Sequence, residues 1–276
     1  LGLLVLVAGR SDAQEDRFPP SEDQRETIQE KQTELGHRLD QLAEALTPDQ
    51  RALGDALADV AIFLKAAEWI ERHEEYFEKD SARWTIEALE RGLARAEQAL
   101  AGDRPWETAA GGVVRGFVSR VDGSVQPYAV YRPQGLDRSR RVRLDVVLHG
   151  RNARLNEVRF LRDHDGKAAP EGVSDRIVLH VYGRGNNAYR WAGETDVFEA
   201  IDAVRRTERI DPERIVLRGF SMGGAGAWHL ALHHPSLWAA VEAGAGSARR
   251  SGMPGFRMFP KSSAKGCTFM MRWITP

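Results

Sequence analysis

Apolar positions recur at helical spacing through the first third of the chain. Ile28, Leu35, Leu39, Leu42 and Leu46 follow one another at steps of seven, four, three and four, which puts them on one face of a helix. Ser21-x-x-Gln24 stands in front of this stripe as a capping box, each side chain satisfying a free backbone donor of the other. Thr47-Pro48-x-Gln50 restarts a helix, with proline at the first position, where no donor is lost. Leu53, Leu57, Val60 and Leu64 continue that stripe, and Trp69, Ile70 and Phe77 extend it. A third stripe, Ile86, Leu89, Leu93, Ala96 and Leu100, stops at Gly102. Residues 21–102 are therefore read as a small helical domain, entered through a linker at 14–20 that ends in Pro19-Pro20.

The period then falls to two. "GGVVRGFVSRVDGSVQPYAVYRP" (111–133) alternates around Asp122-Gly123, a hairpin signal. Strand-like runs follow at "VRLDVVLHG" (142–150), "RIVLHVYG" (176–183), "RIVLRGF" (214–220) and "WAAVEAGAG" (238–246). Between them, "ETDVFEAIDAVRRTERI" (194–210) and "AGAWHLALHHP" (225–235) have a helical period. Strands alternating with helices predict an α/β core over 111–247, its sheet mostly parallel and covered on both faces.

"RGFSMGGAGAW" (218–228) sits where a predicted strand meets a predicted helix. A serine on such a sharp turn has an exposed hydroxyl, and only small residues fit two positions away, because strand and helix nearly collide. Ser221 is thus the candidate nucleophile, close to a helix N-terminus whose partial positive charge favours an oxyanion. His149-Gly150 closes an earlier strand, where a turn can aim a second backbone N–H at the same oxyanion as the Met222 N–H.

"VVLHGR", "GRGNNAYRWAGETDVFEAI" and "IVLRGFSMGGAGAWHLALHHPSLWAAVEAGAG" resemble the α/β-hydrolase fold, and within it the prolyl oligopeptidase-like serine peptidases and their esterase relatives. The resemblance spans residues 111–247. It implies a hydrolase of amides or esters acting through an acyl-enzyme on Ser221, with an oxyanion hole from the backbone of Met222, Gly150 and Arg151. It also implies substrate contacts at Tyr189, Arg190 and Trp191. A peptidase is the first expectation. A carboxylesterase of the feruloyl esterase or esterase D kind is the alternative, as is an inactive hydrolase scaffold serving as a binding protein.

The other triad members do not fall where this fold puts them, on loops after later strands. Behind Ser221 stand one carboxylate, Glu242, and three histidines, His229, His233 and His234, all in the predicted helix after the serine. His229 lies roughly 12 Å along that helix from the turn, beyond the reach of a general base. From Ala248 to Pro276 there are six basic residues and no acidic one, without apolar periodicity. That stretch is expected to be an aberrant or disordered tail after a lost frame or a truncation that removes the acid and the base. The core is then incomplete at its C-terminus, and the chain inactive and poorly stable.

Composition narrows the partners. The 276 residues carry a net charge of −1, which points to neither nucleic acid nor an anionic membrane. A single cysteine, Cys267, excludes an intramolecular disulfide framework and a cysteine-cluster metal site. Residues 1–13, apolar up to Ala8 with Ser11 and Ala13 at a cleavage pattern, read as part of a signal peptide, so export to the periplasm or beyond is expected. No run is long enough for a membrane span. The expected partner is a peptide or small ester substrate, with no cofactor and no metal; nothing fixes an oligomeric state. His229-x-x-x-His233 has the i, i+4 spacing of some zinc sites, but the sequence offers no nearby third ligand. "RDHDGK" (162–167) reads as a surface turn, and Asp196 as a helix-capping or dipole residue.

Overall fold

A computed structural model of the chain describes residues 17–47, 55–245, 258–260 and 268–272. Three helices come first: α1 (Glu22–Ala45), α2 (Asp55–Arg72) and α3 (Ser81–Leu100). The capping box opens α1, with the Gln24 N–H donating to Ser21 Oγ at 3.3 Å and the Ser21 N–H to Gln24 Oε1 at 3.0 Å. The Pro48–Gln50 restart lies outside the described residues, as do the proposed signal segment and residues 14–16 of the linker. The second stripe ends earlier than Phe77, because the chain leaves α2 through Glu74 at φ 53°.

The core adds the strands β1 (Gly111–Val118), β2 (Val125–Arg132), β3 (Val142–Leu148), β4 (Arg176–Val181), β5 (Ile210–Phe220) and β6 (Ala240–Gly244). Its helices are α4 (Glu157–His164), α5 (Ala192–Thr207) and α6 (Met222–His233). Two short strands, β7 (Met258–Pro260) and β8 (Thr268–Arg272), complete a sheet of order β1-β2-β4-β3-β5-β6-β8-β7. β3 runs parallel to β4 and β5, and β5 to β6; the β1–β2 hairpin and the β8–β7 pair are antiparallel additions at either side. The sheet thus does not stop at β6 as the sequence suggests. A strand edge offers unpaired N–H and C=O groups to any extended backbone, so pairing needs no side-chain period in the partner.

Apolar side chains fill both faces. Leu144, Val146, Leu217 and Val241 pack beneath α5 and α6, against Val197, Ile201 and Leu230. On the other face Ala129, Tyr131 and Val178 share one cluster with Ile28, Leu35, Phe63 and Leu89, so the helical unit forms a layer on the sheet with a common core.

The outer edge of β1 is closed by side chains and a turn. The Gly112 N–H donates to Lys167 O at 2.7 Å and the Gly166 N–H to Gly112 O at 2.8 Å. Asp165 accepts from the Val114 N–H, Arg95 donates to Val114 O, and Asp59 accepts from the Gly116 N–H. The surface-turn reading of "RDHDGK" is corrected here: α4 runs through His164, and buried Asp165 is an anchor gripped by Arg91 and Arg95. The sequence signal for α4 was its N-cap, Asn156, whose side chain accepts the Arg159 N–H.

Candidate active site

β5 runs from the sheet straight into α6, and the reversal falls on one residue. Ser221 takes φ 53° and ψ −117°, a left-handed backbone that a non-glycine residue adopts only under constraint. Two constraints are visible. The Ser221 N–H donates to Gly244 O at 2.8 Å, tying the turn to the end of β6. A side chain at Gly219 would run into the Gly223 carbonyl, and one at Gly223 into the Leu148 carbonyl, so strand, turn and helix close up only around hydrogen. Ser221 is exposed and its side chain does not cap α6, which leaves Oγ facing solvent beside the first free amides of the helix.

The end of β3 meets this turn. A methyl carbon at Gly150 would stand 3.8 Å from Ser221 Cβ, so the Gly150–Arg151 backbone and the Met222 amide flank the same hydroxyl. The His149 ring spans two carbonyls, Nδ1 to Gly150 O and Nε2 to Tyr182 O, each at 2.9 Å. With its proton on Nδ1 the ring donates to Gly150 O, which fixes the plane of the Gly150–Arg151 peptide and therefore the direction of the Arg151 N–H. Sequence reasoning missed this clamp, although the histidine before Gly150 was its signal. A cavity of about 350 Å³ lies on this side, lined by His149, Gly150, Arg151, His164 and His180. Another of about 300 Å³ lies under the turn, between Val147, Arg218, Phe220 and Glu242.

The three residues expected at the rim separate. Arg190 and Trp191 are exposed, Trp191 at 79%. Tyr189 is wholly buried and is corrected from a substrate contact to a strut. Its hydroxyl accepts the His149 N–H at 2.7 Å and donates to Val181 O at 3.2 Å, bridging the ends of β3 and β4, and burial pushes the phenol well above its ordinary range. Asp196 does not cap α5: Arg184 binds both of its oxygens, at 3.0 and 3.3 Å. Burial, against the pull of Arg184, lifts that carboxyl to about 6.

None of the eight histidines hydrogen-bonds the Ser221 hydroxyl among the described residues. Those of α6 turn elsewhere. Glu194, in the first turn of α5, holds His229 Nε2 on one carboxylate oxygen and His234 Nε2 on the other, each at 2.8 Å. This carboxylate lies far from α6 in sequence, and no local spacing announces it.

Sheet, flanking helices and strand–turn–helix serine together make an α/β-hydrolase fold. A model of the prolyl oligopeptidase family matches residues 182–255, the stretch that holds Ser221, and supports a serine hydrolase of the α/β type. No curated protein matches the chain. Solved structures similar to it include a ferulic acid esterase from Anaeromyces mucronatus in complex with ferulic acid (18% identity, 55% of this chain and 61% of that chain, TM-score 0.38). A thermostable esterase matches at 20% identity over 48% of this chain and 40% of that one, with TM-score 0.34. Oligopeptidase B from Leishmania major matches at 15% identity over 47% and 19%, with TM-score 0.37. The chain thus spans less than two thirds of each of these proteins.

Proposed function

We propose that this protein is a serine hydrolase that cleaves its substrate through an acyl-enzyme on Ser221, and that the substrate is a peptide. The observation that carries the reading is the exposed Ser221 on its left-handed backbone at the β5–α6 junction, with Gly150 beside it. Ser221 Oγ gives its proton to water as it attacks the carbonyl carbon, and the amides of Met222 and of the Gly150–Arg151 segment receive the oxyanion. Collapse of the adduct breaks the bond to the amine, which leaves with a proton from water. Exposed Arg190 and Trp191 contact the substrate at the rim. The peptide specificity rests on the prolyl oligopeptidase match, and export on the apolar start of the sequence.

A fluorophosphonate probe tests the nucleophile. An oxyanion hole alone retains about 10³–10⁴-fold catalysis over water, so slow labelling of the folded chain is expected, abolished by Ser221→Ala. A folded sample that stays unlabelled overturns the proposal in favour of a non-catalytic binding scaffold. Faster turnover of feruloyl esters than of peptide anilides would move the substrate to the ester class.

A further inference from the structure

The cluster between α5 and α6 has a chemistry the Ser221 site does not use. His229 and His233 project from one face of α6, one turn apart, with ring centroids 4.1 Å apart and planes at 79°. Glu194 meets them from the first turn of α5, and one donor atom from each of the three residues lies within 4.8 Å of the other two. Two imidazoles and a carboxylate suit borderline divalent ions of the zinc class, and such sets bind with a fourth position open to water. The surroundings fit as well. His234 holds the second Glu194 oxygen, and the ring of Phe198, one turn along α5, packs edge-on against His234 at 4.6 Å. An outer partner of this kind orients a ligating carboxylate. Glu194 and His229 side chains are only 23% and 21% exposed, whereas His233 faces solvent, which gives an ion a way in.

We propose that Glu194, His229 and His233 form a binding site for a divalent transition-metal ion of the zinc class, with His234 positioning the carboxylate. The ion joins the first turn of α5 to the last turns of α6, the helix that Ser221 opens. It acts there as a clip, and the proposal stands independently of the hydrolase reading. His233 has no hydrogen bond to Glu194, so His233→Ala removes a ligand and leaves the Glu194–His229–His234 contacts in place.

The test uses the whole chain without an affinity tag, freed of metal and titrated with Zn²⁺ and separately with Co²⁺. Expected are one saturable site, a rise in Tm with Zn²⁺, and the visible absorption of four-coordinate cobalt. His233→Ala should weaken binding by about 100-fold, at least the upper end of what loss of an outer-shell partner costs. Glu194→Gln should do the same, and the metal-free His233→Ala protein should melt like the parent. A chain that shows no Tm shift with Zn²⁺, or the same shift in parent and both variants, overturns the site.

Discussion

The outer side of β1 and the far side of β6 have their backbone groups met in different ways. At β1 the free backbone groups of Gly112, Val114 and Gly116 are met by Lys167, Gly166, Asp165, Arg95 and Asp59. At β6 the free groups are met by β8, backbone to backbone, from Ala240↔Arg272 to Gly244↔Thr268. The first closure combines the backbone of the Gly166–Lys167 turn with side chains that reach across 19 to 57 positions of sequence. The second is open to any extended segment. Specific partners occupy the outer groups of β1, whereas the pairing at β6 asks of its partner only an extended backbone. The two flanks should therefore answer differently to mutation and to acid.

Removing Asp59 should produce the largest loss. Asp59 and Arg115 are both wholly buried, and the carboxylate also accepts from the Trp106 Nε1–H and the Gly116 N–H. Asp59→Ala leaves a desolvated guanidinium without its counter-charge, a loss of about 3–5 kcal/mol by urea unfolding. The double variant Asp59→Leu/Arg115→Met should recover the part due to the uncompensated charge, leaving the cost of the unpaired Trp106 and Gly116 donors. Amide exchange should speed up at Val114 and Gly116 in the single variant and remain unchanged at β6. Equal acceleration at both flanks would break the contrast.

Acid should loosen the β1 flank next. His164 closes α4 beside that edge, bonds Tyr131 Oη through Nδ1 at 2.8 Å, and packs on His180 with ring centroids 4.7 Å apart. Burial, with repulsion from neighbouring histidines, holds His164 at about 4 and His180 at about 3. The unfolded chain binds these protons near pH 6.5, while the native form refuses them until lower pH. Stability from this pair is thus complete above 6.5 and is lost as pH falls toward 4. Asp196, raised to about 6, works the other way, since its native form takes up a proton before the unfolded chain does. His180→Phe separates the two: between pH 7 and 4.5 it should lose about 2 kcal/mol less than the parent. Parallel stability–pH curves would contradict this.

How far the sequence shows these features follows from the range of the interactions. The capping box of α1, the β1–β2 hairpin around Asp122-Gly123 and the Ser221 turn are local, and their residues lie within a few positions of one another. Short-range geometry decides the first two, and the Ser221 turn is announced by its own residues although Gly244 and Leu148 complete it. Asp59 beneath Arg115 and Glu194 beside His229 are set by how helices lie on the sheet, and no spacing within one element encodes that. Tyr189 shows the same limit. Its loop was recognisable, but whether the ring faced the rim or the core depended on the ends of β3 and β4. α4 was missed because a helix of eight residues shows barely two turns of a period.

The smallest effect is expected beside β6, and it sharpens the contrast most. Arg218 and Glu242 face each other across β5 and β6 at 2.6 Å, and the Arg218 side chain remains 38% exposed. Water screens that pair, and buried Asp145, which Arg218 also reaches at 3.3 Å, keeps Arg143 and Arg176 as counter-charges. Arg218→Met should therefore change unfolding free energy by no more than about 1 kcal/mol. The residue type is the same as at Arg115, and the distances are close, 2.6 against 2.7 Å. What differs is the layer above: helices at β1, solvent at β5. A loss at Arg218 as large as that at Asp59 would mean that ion-pair geometry, and not cover, sets the stability of this sheet.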